Sequence, residues 1–252
     1  MKDLLPVKLL LNPAGAFEDF RSGAAGWGWP GALFALSTFS SAALLALAPA
    51  EFLAKSAAGL PPPGGNLGSY FLGGLAGGLL FALFSTALLA AFSAVLRDGR
   101  LMLRVPLPPA AVAGYAFFFL ALRAMPQARP LGWLAMLAAL AAAVFYALKE
   151  KAVFPGLLKI FLALSIFALA TDLAGALAAL AAAPQAYQAL EYAVSFISLV
   201  WLVRGVSTLT GLPAARSAAA AVPAILGAAA FAFSLMALGL LPADYFQLLL
   251  MM

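Results

Sequence analysis

Residues 69–96 read SYFLGGLAGGLLFALFSTALLAAFSAVL, and this run decides the fold. It carries no charge, and none occurs anywhere between Lys55 and Arg97. About 20 apolar residues at ~1.5 Å each cross a ~30 Å hydrocarbon core, so the run is long enough to span a bilayer with some tilt. Gly73, Gly74, Gly77 and Gly78 form two overlapping small-xxx-small pairs near its start, and Arg97, Asp98, Gly99 and Arg100 end it. Lipid supplies no hydrophobic drive between helices, so small residues matter because they let backbones approach. These glycines are the helix-packing candidates, against another span of the chain or against a second copy. The other use of such glycines is to loosen a helix that bends during transport.

The rest of the chain has the same character. Of 252 residues, 65% are hydrophobic and 9% are charged, with a mean hydropathy of +1.06. A soluble domain carries roughly 25% charged residues, so there is too little polar surface here to cover a water-facing globule. In lipid every backbone group must be satisfied internally, which leaves helices or a closed barrel. The apolar runs are continuous and Ala/Leu-rich, without period-2 alternation, so they read as helices. The expected fold is all-α, a polytopic transmembrane helical bundle.

Cysteine and histidine are both absent. This excludes disulfides, thiolate nucleophiles, His-based acid–base catalysis and His/Cys metal sites. No phosphate-binding loop, GxSxG elbow, paired-carboxylate or HExxH-type motif occurs. The serines and threonines within the spans have no evident base to activate them. The expectation is a non-enzyme without cofactor or metal. The net charge of +5 is not a nucleic-acid signal, because Lys and Arg fall in short clusters between apolar runs and no basic patch is interleaved with aromatics.

In chain order, residues 1–28 are too polar to span and form a cytoplasmic or interfacial lead-in, followed by one transmembrane domain over 29–252. Asn12-Pro13 reads as a helix start, with Asn as N-cap and Pro at the first position. The segment after it sets Phe17 and Phe20 on one side, as in a short amphipathic helix at the interface, and Trp27 and Trp29 sit where an aromatic belt belongs. No compact signal-peptide pattern is present, so the first span is expected to stay as an anchor. That span covers about Pro30 to Ala48 and holds Ser37, Thr38, Ser40 and Ser41, whose hydroxyls suit back-bonding or a bond to a neighbouring helix. The loop 59–68, rich in Pro and Gly, cannot continue a helix. After the organising run, further spans are expected at about Ala110–Arg123, Leu131–Leu148, Gly156–Ala182, Tyr187–Thr210 and Ala218–Leu241.

Charge orients these seven spans. With the N-terminus inside, eleven of the fourteen Lys and Arg residues lie inside, leaving Lys55, Arg123 and Arg129 outside. A cytoplasmic N-terminus follows. The third segment is short. If it and the fourth formed a non-spanning hairpin, five spans would result.

Three patches together resemble the Yip1 family of multi-pass membrane proteins. One is Leu9-Leu10-Leu11-Asn12-Pro13 with Ala16-Phe17, running into Trp29. The second is Gly114-Tyr115 followed by Pro126. The third is the turn from Gly205 through Gly211-Leu212-Pro213 to Ala218. The family's members usually have five spans. The Asp-Leu-x-Gly-Pro motif of its eukaryotic members does not occur, nor does a long N-terminal domain, so the resemblance is to a bacterial-type member. It implies an integral membrane protein that acts through helix packing and partners, in membrane organisation or trafficking-like processes. The expected partners are the lipid bilayer and other membrane proteins or a second copy of the chain.

Asp172 is the sharpest single signal, because an ionisable residue inside a span costs roughly 2.5–3.5 kcal/mol and must face protein or water. It is an ion or proton site, or else a structural partner of Arg123 or of backbone near the outer boundary. A small permease or channel with a polar path at Asp172 is the competing function. Arg204 reads as a snorkelling cation, or as one that pairs with an acidic group or binds an anionic lipid, and Glu191 as an exposed charge at a helix end. Asp172, Arg123 and Arg204 are thus the candidate intramembrane polar site.

Overall fold

The computed structural model describes residues 4–56, 64–98 and 101–242. Gly99, Arg100 and residues 59–63 of the Pro- and Gly-rich loop, all used above, lie outside the described residues. The described chain is helical throughout, with no strand among its residues. In order the helices are α1 (Leu5–Leu11), α2 (Pro13–Ser22), α3 (Gly28–Leu47), α4 (Ala50–Ser56), α5 (Leu67–Arg97), α6 (Leu101–Arg104), α7 (Leu107–Arg123), α8 (Arg129–Lys149), α9 (Phe154–Ala163), α10 (Ser165–Leu180), α11 (Pro184–Thr210) and α12 (Ala214–Ala237).

Six helical stretches are long and apolar enough to cross a membrane: α3, α5, α8, α9–α10 together, α11 and α12. The chain is therefore a helical, membrane-type protein. The shorter apolar α7 has 17 residues, about 26 Å of helix at 1.5 Å per residue. The organising run is a single helix of 31 residues. It starts where Asn66 Oδ1 accepts from Ser69 N, while Asn66 N donates back to Ser69 Oγ, both at 2.9 Å. This reciprocal pair satisfies donors that a helix start otherwise leaves open.

The fifth expected span is not one helix. It breaks at Leu164 into α9 and α10. Phe167 N bonds Leu164 O at 3.0 Å, an i−3 rather than an i−4 partner, so the turn is tightened there. No Pro or Gly stands at residues 163–165 to announce it.

The chain divides into two compact units. The first holds residues 1–80 and 159–202. Its main helix pair is α3 with α10. Ala42, Leu45, Phe52, Leu53, Tyr70 and Tyr187 form its core. The lead-in belongs to this unit. Asn12 caps α2 by accepting from Gly15 N at 3.2 Å, and Lys8 pairs with Asp19 at 2.7 Å. Phe17 and Phe20, the apolar side of the expected interfacial helix, are instead buried in protein, with Phe17 edge-on to Trp201 of α11. Burying two aromatic rings against protein outweighs leaving them at the interface. Lys159 fixes the end of the lead-in by donating to Ala25 O at 2.7 Å and standing over the Trp27 ring.

The second unit holds residues 81–158 and 203–246, of which those to 242 are described. Here α7 packs along α12, and Tyr115 donates its hydroxyl to Ser234 Oγ at 2.8 Å between them. Phe84 of α5 stacks on Phe231 of α12 with ring centroids 4.0 Å apart. At Gly227 of α12 a Cβ would come within 2.7 Å of Leu88 Cδ1 and 3.1 Å of Val112 Cγ2, so this glycine is what lets α5 and α7 close on α12.

Candidate functional site

The polar residues of the first unit converge where α3, α10 and α11 meet. Asp172 lies in the middle of α10 and is 8% exposed. Ser41 of α3 donates its hydroxyl to Asp172 Oδ2 at 2.6 Å, a short O–H···O bond. Ser40 offers a second hydroxyl to the same carboxyl group. The other hydroxyls nearby are spent within their own helices: Thr38 bonds Phe34 O at 2.8 Å and Thr171 bonds Phe167 O at 2.9 Å. Ser40 and Ser41 are the hydroxyls of α3 that reach across to α10.

From α11, Tyr187 hydrogen-bonds Glu191 one turn on. Glu191 is half-buried, not the exposed terminal charge that the sequence suggested. Tyr187 is 7% exposed and packs against Phe52, with ring centroids 5.6 Å apart. What lets α11 and α3 come this near α10 is Gly175. A Cβ there would sit 2.6 Å from Tyr187 Cε2 and 3.0 Å from Leu44 Cδ2.

The ion pairs among the described residues are Lys8–Asp19, Arg21–Glu18 and Arg97–Glu150, and neither Asp172 nor Glu191 takes part in one. Within the first unit Asp172 is held by serine side chains of α3. Arg123, the last residue of α7, is exposed and belongs to the second unit. Arg204 is also exposed and belongs to the second unit, where its carbonyl accepts from Thr208 Oγ1 at 3.1 Å. The three residues of the candidate polar site are not one cluster in either unit. Of the packing glycines, Gly74 is buried and Gly73 and Gly77 are half-buried. A Cβ on Gly78 would meet Phe34 Cζ of α3 at 3.1 Å.

The arrangement is oxygen-only: two carboxyls, a phenol and serine hydroxyls. It can tie three helices together, and it can hold or pass a proton. Among the described residues no group of three or more His, Cys, Asp or Glu is placed to hold a metal ion. Sequence reasoning found Asp172 and the serines of α3 but missed Gly175 and Tyr187. The signal for Gly175 was its position three residues after Asp172, one turn along the same face.

A second polar feature went unread. Ser85, Thr86 and Ser93 of α5 are buried, and their hydroxyls have no hydrogen-bond partner among the described residues. With Ala82, Leu89 and Leu96, also buried to 1% exposure, Thr86 and Ser93 follow the alternating 4–3 spacing of a helix-packing seam.

The chain matches no protein-family model, no curated protein and no solved structure.

Proposed function

We propose that this chain is a non-catalytic, multi-pass protein of a bacterial cytoplasmic membrane, working through helix packing and binding of membrane partners. The observation that carries the reading is the closure of Asp172. Its carboxyl group is buried and occupied by Ser41, and Gly175 draws Leu44 and Tyr187 in beside it. A carboxyl engaged in this way ties helices together; one that served a passing solute would face an open, wetted cavity. The Yip1-type role in membrane organisation rests on the three sequence patches quoted above. The topology in this reading has seven crossings, with α7 as the short one and the N-terminus cytoplasmic, as the distribution of Lys and Arg favours.

A second reading, a small permease, draws on one observation: Ser40, Ser41, Tyr187 and Glu191 gather around Asp172, so polar side chains do cluster at this depth. The two readings part at one position. In the otherwise Cys-free chain, Asp172→Cys stays inert to small water-soluble thiol reagents in intact cells if the bundle is closed. Rapid labelling there would favour the permease.

A further inference from the structure

One end of the second unit gathers positive charge in a contiguous chain of contacts. Arg97, at the end of α5, pairs through Nη2 with Glu150 Oε2 at 3.0 Å. Glu150 lies between Lys149 and Lys151 at the end of α8. Arg216, in the first turn of α12, donates through Nη1 to Leu96 O at 2.8 Å and to Arg97 O at 2.9 Å. Arg104 of α6 donates to Val95 O at 2.9 Å.

These cations do different work. The carbonyls of Val95, Leu96 and Arg97 lie in the last turn of α5, where helix carbonyls generally lack intrahelical donors and the dipole is negative. Arg104 and Arg216 cap them, so these two are structural. Lys149 and Lys151 are exposed, and the Arg97 side chain is 45% exposed. Against them stands Glu150, whose side chain is 13% exposed and already paired with Arg97, and the exposed Asp98. The outward surface is therefore net positive.

Its depth is set by aromatics. The Lys149 ammonium stands 5.7 Å from the Tyr146 ring centroid and 6.0 Å from that of Phe145. Phe145, 58% exposed, and Leu148, 69% exposed, point outward on the same helix. An ammonium held over rings at the end of an apolar helix sits at the boundary between acyl chains and headgroups. Given that α8 crosses the membrane, as the proposed function has it, we infer that Lys149, Lys151 and Arg97 form a site for the phosphate headgroup of an anionic phospholipid. The lipid's acyl chains would lie along Phe145 and Leu148. Clusters of Lys and Arg directly beyond a membrane helix attract anionic lipid in this way.

The test titrates the purified full-length protein in detergent with phosphatidylglycerol or phosphatidylcholine and counts retained lipid by native mass spectrometry. The wild type is expected to retain phosphatidylglycerol in preference. The double variant Lys149→Gln/Lys151→Gln should bind it on the order of tenfold more weakly, with its binding of phosphatidylcholine unchanged. Arg129→Gln, at the opposite end of α8, should behave as wild type. If the double variant does not fold, Lys151→Gln alone should give a smaller loss in the same direction. Equal retention of the two lipids by the wild type, or an undiminished preference in the Lys variants, would overturn the proposal. So would displacement of phosphatidylglycerol by equimolar inorganic phosphate, which would mark a free-anion site. Retention of neither lipid would overturn it together with the membrane reading, whereas labelling of Asp172→Cys leaves it standing.

Discussion

Ser41 and Asp172, 131 residues apart in the chain, meet at 2.6 Å with the serine hydroxyl donating to the carboxyl oxygen. The bond joins α3 to α10 in the most closely packed helix pair of the first unit. In lipid a buried carboxyl has no water to fall back on, so its partner matters more than the bond strength alone implies.

Ser41→Ala is therefore expected to destabilise the protein by roughly 1–2 kcal/mol, the range for an interhelical polar contact. Asp172→Asn, which keeps the shape and can still accept from Ser41, should cost less than Asp172→Ala. Thermal unfolding of the detergent-solubilised variants measures both. Equal stability of Ser41→Ala and wild type would mean that the contact holds nothing together.

Gly175 should tolerate no side chain. A methyl group would meet Tyr187 at 2.6 Å and Leu44 at 3.0 Å, and Gly175→Ala is expected to cost about 1–3 kcal/mol through overpacking. The double variant Gly175→Ala/Tyr187→Leu should recover part of that loss, because it removes the ring the methyl strikes. A double-mutant cycle read by unfolding would show the coupling; strict additivity would contradict it.

Ala182, in the turn between α10 and α11, adopts a φ of 51°. This left-handed conformation costs an L-residue roughly 1–2 kcal/mol and glycine little. Ala182→Gly should raise the unfolding midpoint, unlike most loop glycines, and an unchanged or lower midpoint would contradict that account.

Thr86 carries a buried hydroxyl without a partner among the described residues. Replacing it with the isosteric valine removes a desolvated group and keeps the volume. Thr86→Val is expected to be neutral or stabilising by about 1 kcal/mol. A clear loss of stability, measured in the same unfolding assay, would show that the hydroxyl is engaged in the folded protein.

Much of the fold was legible because its signals are long and local. The uncharged run of 69–96 needed no neighbour to read as a helix, and Leu67–Arg97 is that helix with two residues added at its start and one at its end. The sequence sets the third span at about Ala110–Arg123, yet α7 begins at Leu107 with Pro108 and Pro109 in its first turn, where prolines fit. The break at Leu164 left no mark because no Pro or Gly makes it. At the site, Asp172 stood out by its charge, and Ser41 was one of several equivalent hydroxyls. Which of them reaches across, and which ring lies over Gly175, depends on rotation of helices far apart in sequence, and no local pattern encodes that. The fate of Phe17 shows the same limit: periodicity gives an apolar face, but not whether lipid or Trp201 covers it.

The most direct test of the account is sidedness. Single cysteines at Gln127, between α7 and α8, and at Lys151, between α8 and α9, would be exposed in intact cells to a membrane-impermeant thiol reagent. Seven crossings with a cytoplasmic N-terminus predict that Gln127→Cys is labelled from outside and Lys151→Cys only after lysis. Protection of both until lysis would contradict that topology, turning α7 and α8 into a hairpin that does not cross and leaving five spans.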